Sequence, residues 1–200
     1  MNRNYGNNPN SNERVLQKPK SKQRKRVEFI TKVGIFSAIA FVLQMMGGML
    51  PKVKGFLEVE ASDLPALIIS LALGPLAGVM VELIKNLLHA MVSTTGFIGE
   101  FANFFINGTF VFTCGAIYNF KRTKNGAILS LIISTIVLVI AGIFVNIYFM
   151  LPLYSVTQAM SMNERVALAT TVMAPFNLIR GTVLSACTVL IYKKISGFLK

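Results

Sequence analysis

The chain has 200 residues and a formal net charge of +12, yet 54% of its residues are hydrophobic and only 14% are charged. Soluble domains carry about 25% charged residues, so this composition disfavours a water-soluble fold. The excess of basic residues could suggest nucleic-acid binding, but they lie at the N-terminus and between apolar segments, without interleaved aromatic residues. We therefore predict an all-α integral membrane protein with no nucleic-acid partner. The alternative is an all-α soluble protein with buried helices.

The N-terminal segment differs in composition from the rest of the chain. Residues 1–26 are rich in Asn, Lys, Arg, Ser and Pro and contain few apolar residues, which is typical of disorder. The apolar run that follows is about 20 residues long, the length that spans a bilayer. We expect a disordered basic tail over residues 1–26 and a membrane domain over residues 27–200.

The membrane domain divides into six predicted transmembrane helices, separated by loops that contain Pro, Gly or charged residues. The second helix is short, with Asp63 as its predicted N-cap, and about 11 residues at 1.5 Å each cover only ~16 Å of a ~30 Å hydrocarbon layer. The loop before it, residues 51–62, is therefore expected to be buried or to line a cavity. The predicted helices are Phe29–Leu50, Asp63–Leu73, Pro75–Ser93, Ile98–Phe120, Gly126–Leu151 and Arg165–Lys193.

The distribution of Lys and Arg predicts the orientation. Six spans put both termini on one side, together with fifteen basic residues: nine in residues 1–32, three in residues 121–124 and three in residues 193–200. The other side carries three, Lys52, Lys54 and Arg165. Because cytoplasmic loops carry the excess of Lys and Arg, we expect both termini to be cytoplasmic.

An ionisable stripe interrupts the third predicted helix. Glu82, Lys85, Asn86 and His89 follow i, i+3, i+4, i+7 spacing, which places them on one face of an otherwise apolar helix. Such a stripe is costly in a bilayer unless it faces the protein interior or a ligand. A structural ion pair between Glu82 and Lys85 is one alternative. A small membrane enzyme that uses Glu82, Lys85 and His89 is another, whereas a single histidine gives little support to a metal site.

Other polar side chains fall at the same predicted depth, in the outer half of the membrane. An asparagine there can simply hold two helices together, at about 1 kcal/mol, but the clustering favours a pocket that opens to the outside. Tyr148, near the outer boundary, could belong to an interfacial belt or stack on a flat ligand. The clustered residues are Glu100, Asn103 and Asn107 on helix four, Asn146 on helix five, and Asn177 and Arg180 on helix six.

Three sequence runs resemble one known family. The run FLEVEASDLPALIISLALGPLAGVMVELIKNLLH (56–89), with NIYFMLPLY (146–154) and APFNLIRG (174–181), resembles the riboflavin-binding S components of energy-coupling factor (ECF) transporters. The resemblance covers roughly residues 29–195. It implies a six-helix protein of the bacterial cell membrane, with a capping loop after helix one, that captures riboflavin from outside. Riboflavin would be the transported ligand, and no cofactor or catalytic residue is implied.

The resemblance also implies partners and contact residues. The partners would be an EcfT-type membrane coupling subunit and two cytoplasmic ATPases. The small-residue face at Gly34 and Ala38 resembles the family's docking motif, which usually has Ala at both positions; packing within the chain is the alternative. An S component for another vitamin also remains possible. The expected ligand contacts are Leu57 and Glu58 in the capping loop, Lys85, Asn86, Asn146, Tyr148, Asn177 and Arg180.

Arg180 departs from the family pattern, which often has Lys at this position. An arginine offers a planar fork of donors that suits a phosphate group. We hypothesise that Arg180 preserves riboflavin binding and lets the protein accept flavin mononucleotide (FMN).

Overall fold

A computed structural model describes residues 21–48, 61–93, 97–155 and 157–199, and this part of the chain forms six helices and no strand. Helices α1 to α4 are Lys22–Gly48, Asp63–Leu73, Pro75–Ala90 and Ile98–Phe120. Helix α5 comprises Lys124–Val145, a π-helical turn at Asn146–Met150 and the last turn Leu151–Leu153. Helix α6 comprises Met162–Leu168, a π-helical turn at Ala169–Met173 and Ala174–Leu199.

Four of these helices are long and apolar enough to cross a membrane. They are α1, α4, α5 and α6, whose candidate spans are 23 to 31 residues long. Helices α2 and α3 have 11 and 16 residues, which correspond to about 16 Å and 24 Å of helix. The all-helical bundle agrees with the predicted fold class, and the observed bounds of α2 and α4 equal the predicted ones.

The short helix α2 forms the centre of the bundle. It packs against α1, α3, α4 and α6, and its side chains from Pro65 to Leu71 are buried. The hydroxyl of Ser70 donates a hydrogen bond to the carbonyl of Val111 in α4, at 2.9 Å. Gly78 and Gly115 allow this approach, since a Cβ at either position would overlap Ser70. A helix too short to span the membrane is thus enclosed by the longer ones, as its length predicts.

Three helices begin earlier than their predicted bounds: α5 by two residues, at Lys124, and α1 and α6 by more. Helix α1 starts at Lys22, before the end of the segment 1–26, and the hydroxyl of Ser21 accepts a hydrogen bond from the backbone N–H of Arg24. Helix α6 starts at Met162, where Ser161 and Glu164 form a capping box. Both starts follow from side chains that satisfy otherwise unpaired N–H groups of the first turn.

Each π-helical turn contains the residue four positions before a proline. Pro152 has no N–H to donate to the carbonyl of Tyr148, and Pro175 has none for Thr171. The N–H of the residue before each proline bonds to the carbonyl five residues back, from Leu151 to Asn146 and from Ala174 to Ala169. The two turns lie together, because Ile147, Leu151, Ala169 and Met173 pack in one buried apolar cluster. Proline chemistry therefore accounts for the departure of both helices from α geometry.

Candidate ligand-binding site

Asp63 joins three helices through its two carboxylate oxygens. Its Oδ1 accepts a hydrogen bond from Nζ of Lys85 in α3 at 2.7 Å, and its Oδ2 accepts one from Nη2 of Arg180 in α6 at 2.5 Å. Lys85 also donates to the hydroxyl of Ser62 at 3.1 Å and lies 2.7 Å from Oε2 of Glu82. Helices α2, α3 and α6 are thus connected by one network of charges inside the bundle.

Among the described residues, this network contains equal numbers of acids and bases and is largely buried. Its members are two acids, Asp63 and Glu82, and two bases, Lys85 and Arg180, so their formal charges sum to zero. The side chains of Lys85 and Glu82 have no exposed surface, and that of Arg180 is 12% exposed. A buried charge is tolerated only when it is paired and hydrogen-bonded, which this arrangement provides.

The prediction that Asp63 is an N-cap is wrong. The N-cap position of α2 is occupied by Ser62, and Asp63 is the first residue of the helix, with its carboxylate directed to Lys85 and Arg180. The signal for this role was the charge balance of the predicted spans. Two deeply placed cations, Lys85 and Arg180, require acidic partners, and Asp63 is the acid at the start of the adjacent apolar helix.

The ionisable stripe of α3 faces the protein interior, as its spacing predicts. Glu82, Lys85 and Asn86 are buried, and the Glu82–Lys85 ion pair is confirmed. At the end of the stripe, Nδ1 of His89 lies 2.9 Å from Oε1 of Glu100 in α4. The face that carries the stripe therefore connects α3 to α2 and to α4.

Three buried asparagines present amide oxygens without a hydrogen-bond partner in the described part of the chain. They are Asn86, Asn107 and Asn146. In Asn86 and Asn146 the amide nitrogen donates to a backbone carbonyl, of Glu82 at 2.8 Å and of Gly142 at 2.6 Å. Because a carbonyl can only accept, this contact fixes which end of each amide is the nitrogen. Buried oxygens in this state are costly and are ready to accept a hydrogen bond from a ligand.

Asn146 on α5 and Asn177 on α6 both lie next to Gly142. A Cβ at Gly142 would overlap the amide nitrogen of Asn177, and Gly142 is also the residue to which Asn146 donates. Asn177 is buried and precedes Arg180 by one helical turn. A polar path therefore runs from Asn146 through Asn177 and Arg180 to Asp63 and Lys85, at the end of the bundle where α2 and α4 begin.

The remaining predicted site residues have different positions. Tyr148 is 65% exposed and stacks on Phe144, on the side of α5 opposite to Asn146. Leu57 and Glu58 lie outside the described residues. Gly34 and Ala38 are exposed on α1, and nothing lies within 4 Å of a Cβ placed on Gly34. Packing of these two residues within the chain is thereby disfavoured.

Comparison with known proteins identifies the family. The model of the substrate-specific component of ECF transporters matches residues 28–192. A solved structure titled "Structure and mechanism of the S component of a bacterial ECF transporter" superposes with a TM-score of 0.74 at 34% identity, and covers 88% of this chain and 99% of that one. The match extends over the helices that carry the polar path.

Two curated relatives are similar over nearly their whole length. The riboflavin transporter RibU of Staphylococcus aureus (strain TCH60) is 36% identical over 170 residues, which are 84% of this chain and 90% of the relative. The riboflavin transporter FmnP of Bacillus subtilis (strain 168) is 32% identical over 181 residues, 88% of this chain and 95% of the relative.

Proposed function

Because the chain belongs to the family of substrate-specific components of ECF transporters, we propose that it captures riboflavin for uptake across the cell membrane. Two relatives named riboflavin transporters align with it over most of both lengths. The observation that carries the proposal is the pair of buried amides, Asn146 and Asn177, on facing helices beside Arg180. Binding sites for flat heterocycles are mostly apolar and contain a few placed polar groups of this kind.

The chemistry of the flavin ring matches these amides. An isoalloxazine ring has one N–H donor and several carbonyl and ring-nitrogen acceptors along one edge. The unpartnered Oδ1 of Asn146 would accept the ring N–H, and Nδ2 of Asn177 would donate to a carbonyl. Arg180 and Asn86 would meet the hydroxyls of the ribityl chain, with Leu57 and Glu58 in the loop that covers the ligand.

Two predicted contacts take altered roles in this proposal. Lys85 is enclosed by Asp63, Glu82 and Ser62, so we assign it the positioning of Asp63 and, through Asp63, of Arg180. Tyr148 faces away from Asn146, and its exposed ring stacked on Phe144 fits an interfacial belt. Neither residue is needed as a direct ligand contact.

The partners and the membrane orientation complete the proposal. Uptake would be driven by two ATPases on the cytoplasmic side, through a membrane coupling subunit that contacts α1. Both termini would be cytoplasmic, because the basic residues of the α4–α5 turn, Lys121, Arg122 and Lys124, lie at the same end of the bundle as the start of α1 and the end of α6. The polar path would then open to the outside.

A membrane enzyme built on Glu82, Lys85 and His89 has no specific support. Glu82 and Lys85 are fully buried in ion pairs, and His89 contacts Glu100. A binding subunit releases its ligand chemically unchanged, whereas an enzyme does not. Chromatography of the released flavin therefore separates the two functions.

Riboflavin binding is tested by fluorescence titration of the protein purified in detergent. We expect saturable quenching of flavin fluorescence with one ligand per chain. The variant Asn146→Ala should weaken binding by about tenfold or more, because a buried hydrogen bond to the ligand is lost. The matched control is Asn125→Ala, which removes an exposed amide from the first turn of α5.

Two results would reject this proposal. One is a folded protein that does not quench riboflavin, or that binds another vitamin in preference when a panel is titrated. The other is an equal effect of Asn146→Ala and Asn125→Ala on riboflavin affinity, which would show that the buried amide of Asn146 does not contact the flavin.

A further inference from the structure

A cavity lies at the opposite end of the bundle from Asn146. It has a volume of about 350 Å³ and is bounded by the end of α2, the turn between α4 and α5, and the end of α6. Lys124 and Asn146 are 22 residues apart on α5, which is about 33 Å of helix. This cavity is therefore separate from the riboflavin site proposed above.

The rim of the cavity is cationic. Arg122 and Lys124 line it, and both are exposed. Nη2 of Arg122 donates to Oδ1 of Asn119 at 2.7 Å, which anchors one edge of the guanidinium. No acidic residue occurs between Glu100 and Glu164 in the sequence, so the chain itself supplies no carboxylate from this region to neutralise the rim.

The floor and walls are apolar. Ile128 and Leu131 follow Lys124 along α5, at depths of about 6 Å and 10 Å from the rim. Val189 lines the α6 side, and Tyr118 and Tyr192 form an edge-to-face pair with ring centroids 6.2 Å apart. Cations thus lie above an apolar channel, with two amphipathic rings at one side.

We propose that this cleft binds one anionic phospholipid. The phosphate would contact Arg122 and Lys124, and an acyl chain would lie along Ile128, Leu131 and Val189. The order of groups supports this occupant, because charge is at the helix ends and apolar surface is deeper, as in a bilayer leaflet. Basic clefts between membrane helices bind anionic headgroups in this way. A soluble phosphate would use the cations but would leave the apolar channel without a partner.

The test is native mass spectrometry of the full-length protein, released from nanodiscs that contain equal amounts of dioleoyl phosphatidylglycerol and dioleoyl phosphatidylcholine. We expect one phosphatidylglycerol to be retained in preference. The variant Arg122→Gln/Lys124→Gln should lower its affinity about thirtyfold, the effect of two cations near an anionic headgroup. Ala127→Trp, which fills the cavity wall without a change of charge, should also lower retention.

A matched variant controls for general attraction to anionic lipid. Lys22→Gln/Lys121→Gln removes the same charge from exposed residues at the same end of the bundle that do not line the cavity. It should retain the lipid. Riboflavin quenching should be unchanged in every variant, which verifies folding and keeps this result separate from the proposed function.

Three results would overturn the proposal. An equal loss of lipid from both double variants would show only non-specific attraction. Displacement of the lipid by millimolar inorganic phosphate, with no effect of Ala127→Trp, would indicate a site for soluble phosphates. Unchanged lipid retention with loss of coupling-subunit capture in Arg122→Gln/Lys124→Gln would make the occupant a protein.

Discussion

Asp63 forms ion pairs with two cations inside the bundle, Lys85 and Arg180. It accepts hydrogen bonds from Lys85 and from Arg180, and its own side chain is almost completely buried. Its neutralisation would remove a carboxylate that both cations contact in a medium of low polarity. Removal of one partner of a buried ion pair typically costs more than the intact pair contributes, since the other charge stays buried and uncompensated.

We predict that Asp63→Asn lowers the free energy of unfolding by about 3 kcal/mol. The double variant Asp63→Asn/Lys85→Met should recover much of this loss, because one cation then faces one anion. Thermal unfolding in detergent measures both effects. The control is Glu28→Gln, which removes an acid from the partly exposed pair with Lys32 and should cost at most about 0.5 kcal/mol. Equal stability of the single and double variants would contradict the charge-balance argument.

Arg180 provides a second prediction at the residue scale. One end of its guanidinium contacts Asp63, and the planar group with its five N–H donors suits a phosphate better than an ammonium does. We expect Arg180→Lys to leave riboflavin affinity within about threefold and to weaken FMN affinity about tenfold, the effect of one charge-assisted hydrogen bond. Fluorescence titration with both ligands measures the ratio. An unchanged ratio would remove the FMN hypothesis.

The extent to which the site follows from the sequence depends on how far apart its residues are. Helical spacing was sufficient to predict the Glu82–Lys85 pair, three residues apart. The contacts of Asp63 join residues 22 and 117 positions apart, and no local pattern encodes them. Depth along the predicted spans nevertheless grouped Asn146, Asn177 and Arg180. Residues at one end of a helical bundle lie close in space when they also face its interior.

At the scale of elements, a π-helical turn adjoins each amide, and the turn in α6 affects the direction in which Asn177 points. Asn146 begins the first turn, and Asn177 follows the second by one helical turn. A π-helical turn inserts one extra residue per turn and so rotates the residues that follow about the helix axis. Pro152 and Pro175 predict that α-helical hydrogen bonding is interrupted nearby, but a proline can also kink or end a helix. The π geometry therefore appears only in the packed structure.

The contact between α5 and α6 gives a prediction at Gly142. A methyl group there would overlap the amide nitrogen of Asn177, whose side chain must then move from its present position. We expect Gly142→Ala to weaken riboflavin binding about tenfold, by loss of one ligand hydrogen bond. The matched control is Gly108→Ala, at a buried helical glycine where the nearest atom would lie 3.7 Å from the new methyl. Equal affinity in the two variants would show that the position of Asn177 does not matter.

At the scale of the whole molecule, the bundle separates two kinds of surface on α1. Val33, Ser37 and Ala40 are buried against the protein, whereas Gly34 and Ala38 face outward. Small residues four positions apart let another helix approach closely. We propose that this face receives the membrane coupling subunit, and that riboflavin binding is independent of it, because the polar path lies on α2, α3, α5 and α6.

Ala38→Leu tests this division between capture and transport. A leucine would project outward from α1 and prevent close approach of a partner helix, without contact with the buried amides. We expect riboflavin affinity in detergent to be unchanged and uptake of labelled riboflavin by cells that express all partner subunits to fall at least about tenfold, as expected when one interface contact loses about 1.4 kcal/mol or more. Ala186→Leu is the control, because Ala186 is also exposed, but on α6. Unimpaired uptake by Ala38→Leu, or equal impairment by both variants, would exclude this face of α1 as the docking surface.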